Sequence, residues 1–319
     1  MAVAEIVMIM GYPASGKTSL VDEFPGYVRL NRDNTGGSID KLAITLNNEL
    51  VRNGSSKSYV LDNTYPTAKS RKSALDVAKK HQVPVRCIYL KASAEDAQYN
   101  ACQRMVERYG KVLMPDEIDK MAKTDPNMFP TAVIFKYRKE LEEPSPSEGF
   151  AKIETRKFVR KPQGSEYVNS AVIFDYDGTL RKTKSGGKYP LTPDDIEILP
   201  GRVETLQKLK KSNTRLLGVS NQGDVARKKL TLEQAIACFE HTNKLLGADI
   251  EYTFCPHNPA PIQCFCRKPM CGLGVHFIEK YKLDRNKVCF VGDQTTDKTF
   301  AQRTGIRYID AEEFFLGAK

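Results

Sequence analysis

Long apolar runs are missing from this 319-residue sequence. No stretch approaches the roughly 18 residues that a membrane-crossing helix needs, which excludes a helical span. Also absent are the basic start and small-residue cleavage site of a secretory leader, internal repeats, and low-complexity tracts. With hydrophobic residues at 40%, these absences predict a soluble protein inside a cell, nuclear if its source is eukaryotic and cytoplasmic otherwise, with no membrane partner. The dense, short-range cysteine framework of a small secreted domain is missing too. Eight cysteines in a chain of this length argue for thiols or a metal instead. Three of them crowd between 255 and 266.

What is present is enough chain for two ordinary domains, each burying its own core. Lys and Arg total 49 against 39 Asp and Glu, and the excess is uneven: 21 against 19 in residues 1–150, but 28 against 20 beyond. A basic second half suits a polyanionic partner.

The first half alternates short β-rich runs with helical ones. Strands are predicted at 6–10, 58–61 and 84–90, with another just before Asn31, and helices from Lys17 and over 67–80 and 94–108. Such alternation indicates a parallel sheet covered on both faces. Residues 144–169 carry turn formers at both ends around a short basic segment, and the domain junction is expected there, near 165. A second alternating series follows, with strands at 171–176, 215–219, 250–254 and 288–291. The division predicted is 1–160 and 166–319, both α/β.

Gly11-x-x-x-x-Gly16-Lys17-Thr18, after a strand and before a helix, has the spacing and context of a phosphate-binding P-loop. The glycines let the backbone wrap so that its N–H groups point inward, Lys17 reaches the β and γ phosphates, and the Thr18 hydroxyl can bind Mg²⁺. Gly11, Ala14, Ser15, Gly16, Lys17 and Thr18 are therefore the expected ATP-binding set. Asp33 follows the second strand at the ligand-binding edge of the sheet. There it could accept a proton from an attacking hydroxyl or cap a helix. Asp62 stands at another strand end, where it could hold Mg²⁺ through water, contact the acceptor, or form an ordinary turn. Arg104 and Arg108 share one helix face at i, i+4 and suit a lid over phosphates or a solvated basic face.

The stretches GYPASGKT, VRLNRDN, VLDNTYPTAKSR, VPVRCIYL, NACQRM and YRKELEEPSPSEGF, in that order, resemble the kinase domain of polynucleotide kinase-phosphatases over residues 5–153. The resemblance implies transfer of the ATP γ-phosphate to a 5′-hydroxyl of DNA or RNA. It makes Asp33 the general base, Arg104 the lid arginine with Arg108 beside the nucleotide, and Arg32, Asp62, Asn63 and Arg71 acceptor-side residues. Gly36 departs from the phage members, which have an arginine there to hold a substrate phosphate, so a different preference for the acceptor end is expected.

Asp175-x-Asp177-Gly178-Thr179 follows an apolar strand, which brings two carboxylates to one strand end. Two such groups in different surroundings can divide labour: an ionised nucleophile that forms a mixed anhydride with phosphate, and an acid that protonates the leaving oxygen. Ser220 and Asn221 can donate hydrogen bonds to the phosphate, Lys268 supplies positive charge, and Asp293 with Asp297 can complete a Mg²⁺ site with Asp175. Together these resemble the haloacid dehalogenase phosphatase superfamily over 170–310, with the Asp177 backbone as a further Mg²⁺ contact. The spacings are 45 residues from Asp175 to Ser220 and 48 from there to Lys268. They leave no room for a large cap, so a Rossmann-like site open to bulky substrates is expected.

Cys255-x-His257-x₆-Cys264-x-Cys266 is a Cys₃His set suited to structural, tetrahedral Zn²⁺, with Cys271 as a possible replacement for one ligand. Cys87, Cys102, Cys238 and Cys289 lie in apolar surroundings and read as core. This loop, with SNQGDVAR and CRKP, resembles the histidinol-phosphate and heptose-bisphosphate phosphatase branch.

The leading expectation is a bifunctional end-healing enzyme that phosphorylates 5′-hydroxyls and removes 3′-phosphates, using ATP, Mg²⁺ at both sites and a structural Zn²⁺, and handing its ends to a ligase. The alternative is a small-molecule kinase fused to a histidinol-phosphate or sugar-phosphate phosphatase. A binding module with dead sites is disfavoured, since every catalytic position carries a competent residue.

Overall fold

The run IVMIMG is apolar on both sides because it forms a central strand with neighbours on each edge and helices on each face. A computed structural model describes residues 4–32, 36–212 and 214–317. They fall into two compact units: residues up to Asn100 with Ala122–Arg160, and Ala101–Met121 with residues from Lys161 onward.

The first unit holds five parallel strands: β1 (Ile6–Gly11), β2 (Val28–Leu30), β3 (Tyr59–Asp62), β4 (Val85–Lys91) and β5 (Lys152–Lys157). Their order is β2-β3-β1-β4-β5. Strand alternation sends Ile6, Met8 and Met10 into one core layer with Leu42, Leu46 and Leu50. Val7 and Ile9 enter the opposite layer with Val60 and Ile88. The three leucines recur at four-residue spacing on the helix Ile39–Asn53, which Ser38 caps by accepting from the Lys41 N–H. This gives the helix one apolar face for the sheet. Helix Ala68–Lys80 begins at a reciprocal capping box between Thr67 and Ser70.

The segment KIETRK, placed in the first domain without an element and in the stretch 144–169 around the junction, is the edge strand β5, paired with β4 from Arg86–Lys152 to Lys91–Lys157. Only Ile153 of this strand packs into the core layer. Its charged residues keep an exposed sheet edge soluble.

The second unit has β6 (Asn169–Phe174), β7 (Arg181–Thr183), β8 (Ile196–Ile198), β9 (Arg215–Asn221), β10 (Glu251–Cys255), β11 (Leu283–Gly292) and β12 (Arg307–Asp310). Five form a parallel sheet ordered β10-β9-β6-β11-β12, and β7 with β8 makes an antiparallel pair. Alternation again splits β6, with Ala171 and Ile173 on one layer and Val172 and Phe174 on the other. Residues 101–121, which the sequence pattern assigns to the first domain, belong with this unit. Their buried positions Cys102, Met105, Val106, Val112, Leu113 and Ile118 announce an apolar face, but the pattern cannot say which core receives it. Among the described residues no helix is long and apolar enough to cross a membrane.

Candidate active sites

The P-loop turns sharply from β1 into the helix Lys17–Val21. A Cβ on Gly11 would lie 2.8 Å from the Leu90 carbonyl oxygen, so only glycine permits β4 to approach so closely. Gly16 and Ala14 adopt positive φ, 91° and 59°. For Ala14 this is a strained conformation, held by its surroundings. One such hold is the Asn100 side chain, which donates to the Ala14 carbonyl at 2.8 Å. The Lys17 ammonium is buried and donates to the carbonyls of Tyr12 at 2.6 Å and Gly11 at 3.2 Å. Ser15 Oγ is buried without a hydrogen-bond partner among the described residues, as suits a loop built around an anion.

Register between β1 and β3 places Asp62 opposite Ile9, so its carboxylate reaches the helix start. Thr18 Oγ1 lies 3.5 Å from Asp62 Oδ2, and this hydroxyl–carboxylate pair is where a Mg²⁺ ion fits beside a nucleotide phosphate. Arg29 Nη2, on the edge strand β2, meets the same oxygen at 2.5 Å. Asn63 accepts from the Arg32 N–H at 3.3 Å, tying the end of β3 to the chain that runs on to Asp33. Asp33 itself lies outside the described residues. Arg104 is half-buried and Arg108 exposed, both in the stretch that belongs with the second unit.

Arg71 departs from its expected acceptor role. It is fully buried, paired in a two-pronged fashion with Glu148 at 2.7 and 2.8 Å. Its Nη1 also donates to the carbonyls of Tyr65 and Glu142. A guanidinium so committed ties helix Ala68–Lys80 to the approach to β5 and has little left to offer a substrate.

The second site gathers at the C-terminal ends of β6, β9 and β11, where ligands bind in open α/β sheets. Asp175 is fixed by its N–H, which donates to the Val291 carbonyl at 2.9 Å. Lys268 Nζ lies 2.8 Å from both Asp175 Oδ1 and Asp297 Oδ1, with only 4% of the residue exposed. Burial opposes the Lys268 charge, yet the two carboxylates outweigh it and hold its pKa above the ordinary lysine value. Burial pushes the Asp175 carboxyl up to about 7, with Lys268 opposing and Asp297 adding to the rise.

Asp175, Asp293 and Asp297 each offer an oxygen within 4.8 Å of the others, a hard-oxygen cluster suited to Mg²⁺. Asp293 accepts from Thr179 Oγ1 at 3.2 Å and from Gln294 Nε2 at 2.6 Å. Gly178 has φ 88°, and a Cβ there would come within 2.4 Å of Asp293 Oδ2. The Gly-Thr of the motif thus serves to seat Asp293.

Asn221 differs from the expected phosphate donor. Its Nδ2 donates to the Lys268 carbonyl at 3.0 Å and its Oδ1 accepts from the Lys268 N–H at 2.9 Å. It therefore places Lys268 rather than the phosphate. Ser220 is buried, and its Oγ is 3.0 Å from Gln222 Nε2, which also donates to Asp177 Oδ2 at 2.9 Å. Arg181 holds the other Asp177 oxygen at 2.8 Å. The sequence motifs assign no role to Gln222, Arg181, Asn100 or Arg29. Arg181 stands four residues after Asp177, while Gln222, Asn100 and Arg29 lie inside the SNQ, NACQRM and VRLNRDN stretches, whose spacing gives them no role.

The cysteine loop closes as a tetrahedral set. Cys255 Sγ lies 3.7 Å from Cys264 Sγ and 3.4 Å from His257 Nδ1, which is 3.2 Å from Cys266 Sγ. Four ligands about 2.3 Å from one zinc would stand roughly 3.8 Å apart, so the donors fit that ion. Cys271, the alternative ligand, is hydrogen-bonded to Cys102 instead. Arg267 Nη1 donates to the His257 carbonyl at 2.9 Å, which couples the loop to the segment carrying Lys268.

Residues 170–315 match the family model for polynucleotide kinase 3 phosphatase, and residues 6–124 match that for an AAA domain. A bifunctional polynucleotide phosphatase/kinase of Schizosaccharomyces pombe is 32% identical over 48% of this chain and 34% of its own length. The chain thus spans about a third of that relative. A D-glycero-beta-D-manno-heptose-1,7-bisphosphate 7-phosphatase of Pasteurella multocida is 30% identical over 41% of this chain and 74% of its own. Among solved structures, one of the Pnkp1/Rnl/Hen1 RNA repair complex is similar at 16% identity and TM-score 0.34, covering 97% of this chain and 96% of that chain.

Proposed function

Because residues 6–124 match an AAA domain and residues 170–315 match polynucleotide kinase 3 phosphatase, we propose that the chain is a kinase–phosphatase fusion that heals nucleic-acid ends. The first site phosphorylates a 5′-hydroxyl and the second removes a 3′-phosphate, leaving ends that a ligase can seal. The observation that carries this reading is the coexistence of two separate phosphate-handling constellations, Lys17–Thr18–Asp62 and Asp175–Lys268–Asp297.

At the first site the loop N–H groups and Lys17 hold the ATP phosphates, and Asp33 takes the proton of the attacking hydroxyl. At the second, Asp175 attacks phosphorus, Lys268 and Ser220 hold the phosphoryl oxygens, and Asp177 protonates the departing 3′-oxygen. Asp177 then takes a proton from the water that cleaves the aspartyl phosphate. Thr18 and Asp62 in one site, and Asp175, Asp293 and Asp297 in the other, would hold Mg²⁺, which when bound would neutralise charge on the transferring phosphoryl group. Cys255, His257, Cys264 and Cys266 would hold a structural zinc that would fix the loop before Lys268. Between Asp175 and Ser220 the chain contributes the β7–β8 pair and helix Arg202–Lys210, too little for a large cap, which supports a polymer end as the substrate.

Labelled ATP with a 5′-hydroxyl oligonucleotide should transfer label to the nucleic acid, and phosphate should be released from a 3′-phosphate oligonucleotide. Failure of either reaction on both DNA and RNA refutes the corresponding half. The zinc loop and the broad coverage of the Pasteurella relative favour a second reading, a metabolite phosphatase. Faster release from histidinol phosphate or a heptose bisphosphate than from the oligonucleotide would establish it.

A further inference from the structure

Asp177 sits in a clamp. Arg181 Nε donates to Asp177 Oδ1 at 2.8 Å and Gln222 Nε2 donates to Oδ2 at 2.9 Å, so each carboxyl oxygen has its own donor. The clamp is itself anchored. Arg181 is 1% exposed, its Nη1 donates to the Cys238 carbonyl and Thr242 Oγ1 at 2.8 Å each, and its guanidinium lies 4.9 Å from the Phe239 ring centre. These three partners belong to helix Leu232–Leu246, well away in sequence from the aspartate motif. Gln222 is likewise buried and bonds Ser220 Oγ at 3.0 Å.

A buried arginine must recover the hydration it gave up, and here it does so partly against a carboxylate the reaction has to use. For packing alone an apolar side chain would serve between Tyr176, Phe239 and the helix. We infer that Arg181 and Gln222 are positioning residues that fix the plane of the Asp177 carboxyl. Arg181 holds Oδ1, while Oδ2, on the weaker neutral amide, is the oxygen that exchanges the proton. Gln222 then links that oxygen to Ser220, so the acid and the phosphate-holding hydroxyl move as one unit.

This inference rests on the phosphatase reading above. In the first half-reaction an Asp175 oxygen forms a bond to phosphorus, and the bond from phosphorus to the substrate oxygen breaks with its electron pair. That oxygen takes the proton from Asp177 Oδ2. In the second, water adds to phosphorus, its proton goes to Oδ2, and the Asp175–phosphate bond breaks to release inorganic phosphate and restore both carboxyl groups. The second half-reaction is the same for every substrate, so leaving groups differ only in the first, where the orientation of Oδ2 matters if the departing oxygen needs a proton. An alkoxide such as a 3′-oxygen does, whereas p-nitrophenolate leaves without one.

The test compares these leaving groups. Arg181→Met should lower kcat/KM, which reports the first half-reaction, by about 100-fold on a 3′-phosphate oligonucleotide and by at least tenfold less on p-nitrophenyl phosphate. Arg181→Lys should restore part of the lost rate. In an Asp177→Asn background the Arg181→Met change should add nothing further, since both act through one group. If Arg181→Met fails to fold, judged by circular dichroism, Gln222→Met should show the same split. Equal losses on the two leaving groups, or an additive loss in the Asp177→Asn background, overturn the inference while leaving the phosphatase reading intact. A wild-type protein that releases phosphate from neither compound, nor from histidinol phosphate, overturns both.

Discussion

Each site is centred on a buried lysine. Lys17 meets the neutral carbonyls of Tyr12 and Gly11, whereas Lys268 meets two carboxylates at 2.8 Å. Carbonyl dipoles stabilise an ammonium only modestly, so an incoming phosphate can take their place and the P-loop is poised for exchange. The carboxylates of Asp175 and Asp297 instead lock Lys268 into the fold, because separating buried opposite charges is costly. The second site sets two carboxylates against one ammonium and becomes complete with a cation.

The sharpest way to break this comparison is to remove each site's acid or nucleophile. Asp175→Asn should cut phosphate release by about 10⁴-fold with kinase rate unchanged, and Asp33→Ala should do the reverse. Loss of both activities in either variant, with the fold intact by circular dichroism, would show that the sites are not independent.

Removing the lysines sharpens the contrast in stability. Lys268→Met should cost the second unit about 3–5 kcal/mol in a magnesium-free denaturation, because it leaves buried carboxylates facing each other. Lys17→Met should slow the kinase by about 100-fold or more while shifting the melting midpoint by little. Comparable destabilisation by the two changes would contradict the difference drawn here.

Arg71 offers a control within the first unit. Arg71→Ala should destabilise by about 3–5 kcal/mol, since Glu148 then loses its buried partner, without raising KM for a 5′-hydroxyl oligonucleotide. A raised KM at unchanged stability would return Arg71 to the acceptor site. Metal analysis should find one zinc per chain, and chelation should lower the second unit's melting midpoint by about 5–10 °C while the first unit melts as before.

The smallest effect concerns pH. The Asp175 carboxyl is raised from 3.8 to about 7 by burial, so the folded state binds this proton more tightly than the unfolded chain. Its stabilising contribution is present below about pH 4 and is lost as pH rises towards 7. Mg²⁺ competes with that proton, so added Mg²⁺ should raise the melting midpoint more at pH 8 than at pH 5. An equal gain at both values would argue against Asp175 as a ligand.

Much of both sites is legible in the order of the residues. The P-loop string and the DxDGT motif each combine glycine spacing with a preceding apolar strand, and local geometry then fixes which strand end carries them. The Cys₃His set is legible because metal ligands must lie close in sequence when one loop supplies them. Arg71 and Asn221 mislead because they lie within site motifs, yet each has its donors taken by neighbours that no local spacing reveals. The strand β5 is hidden by its charges, which an edge strand tolerates and a central strand does not.

By itself the sequence determined which chemistry is available and which strand ends carry it, since strand periodicity and turn residues act over a few positions. Only the tertiary structure decided that residues 101–121 pack with the second unit, that Arg29 meets Asp62 and Asn100 the P-loop, and that Arg181 and Gln222 grip Asp177. Those pairings depend on which buried surfaces and charges find each other across long stretches of chain, and burial rewards any apolar face or satisfied charge without naming its partner in advance.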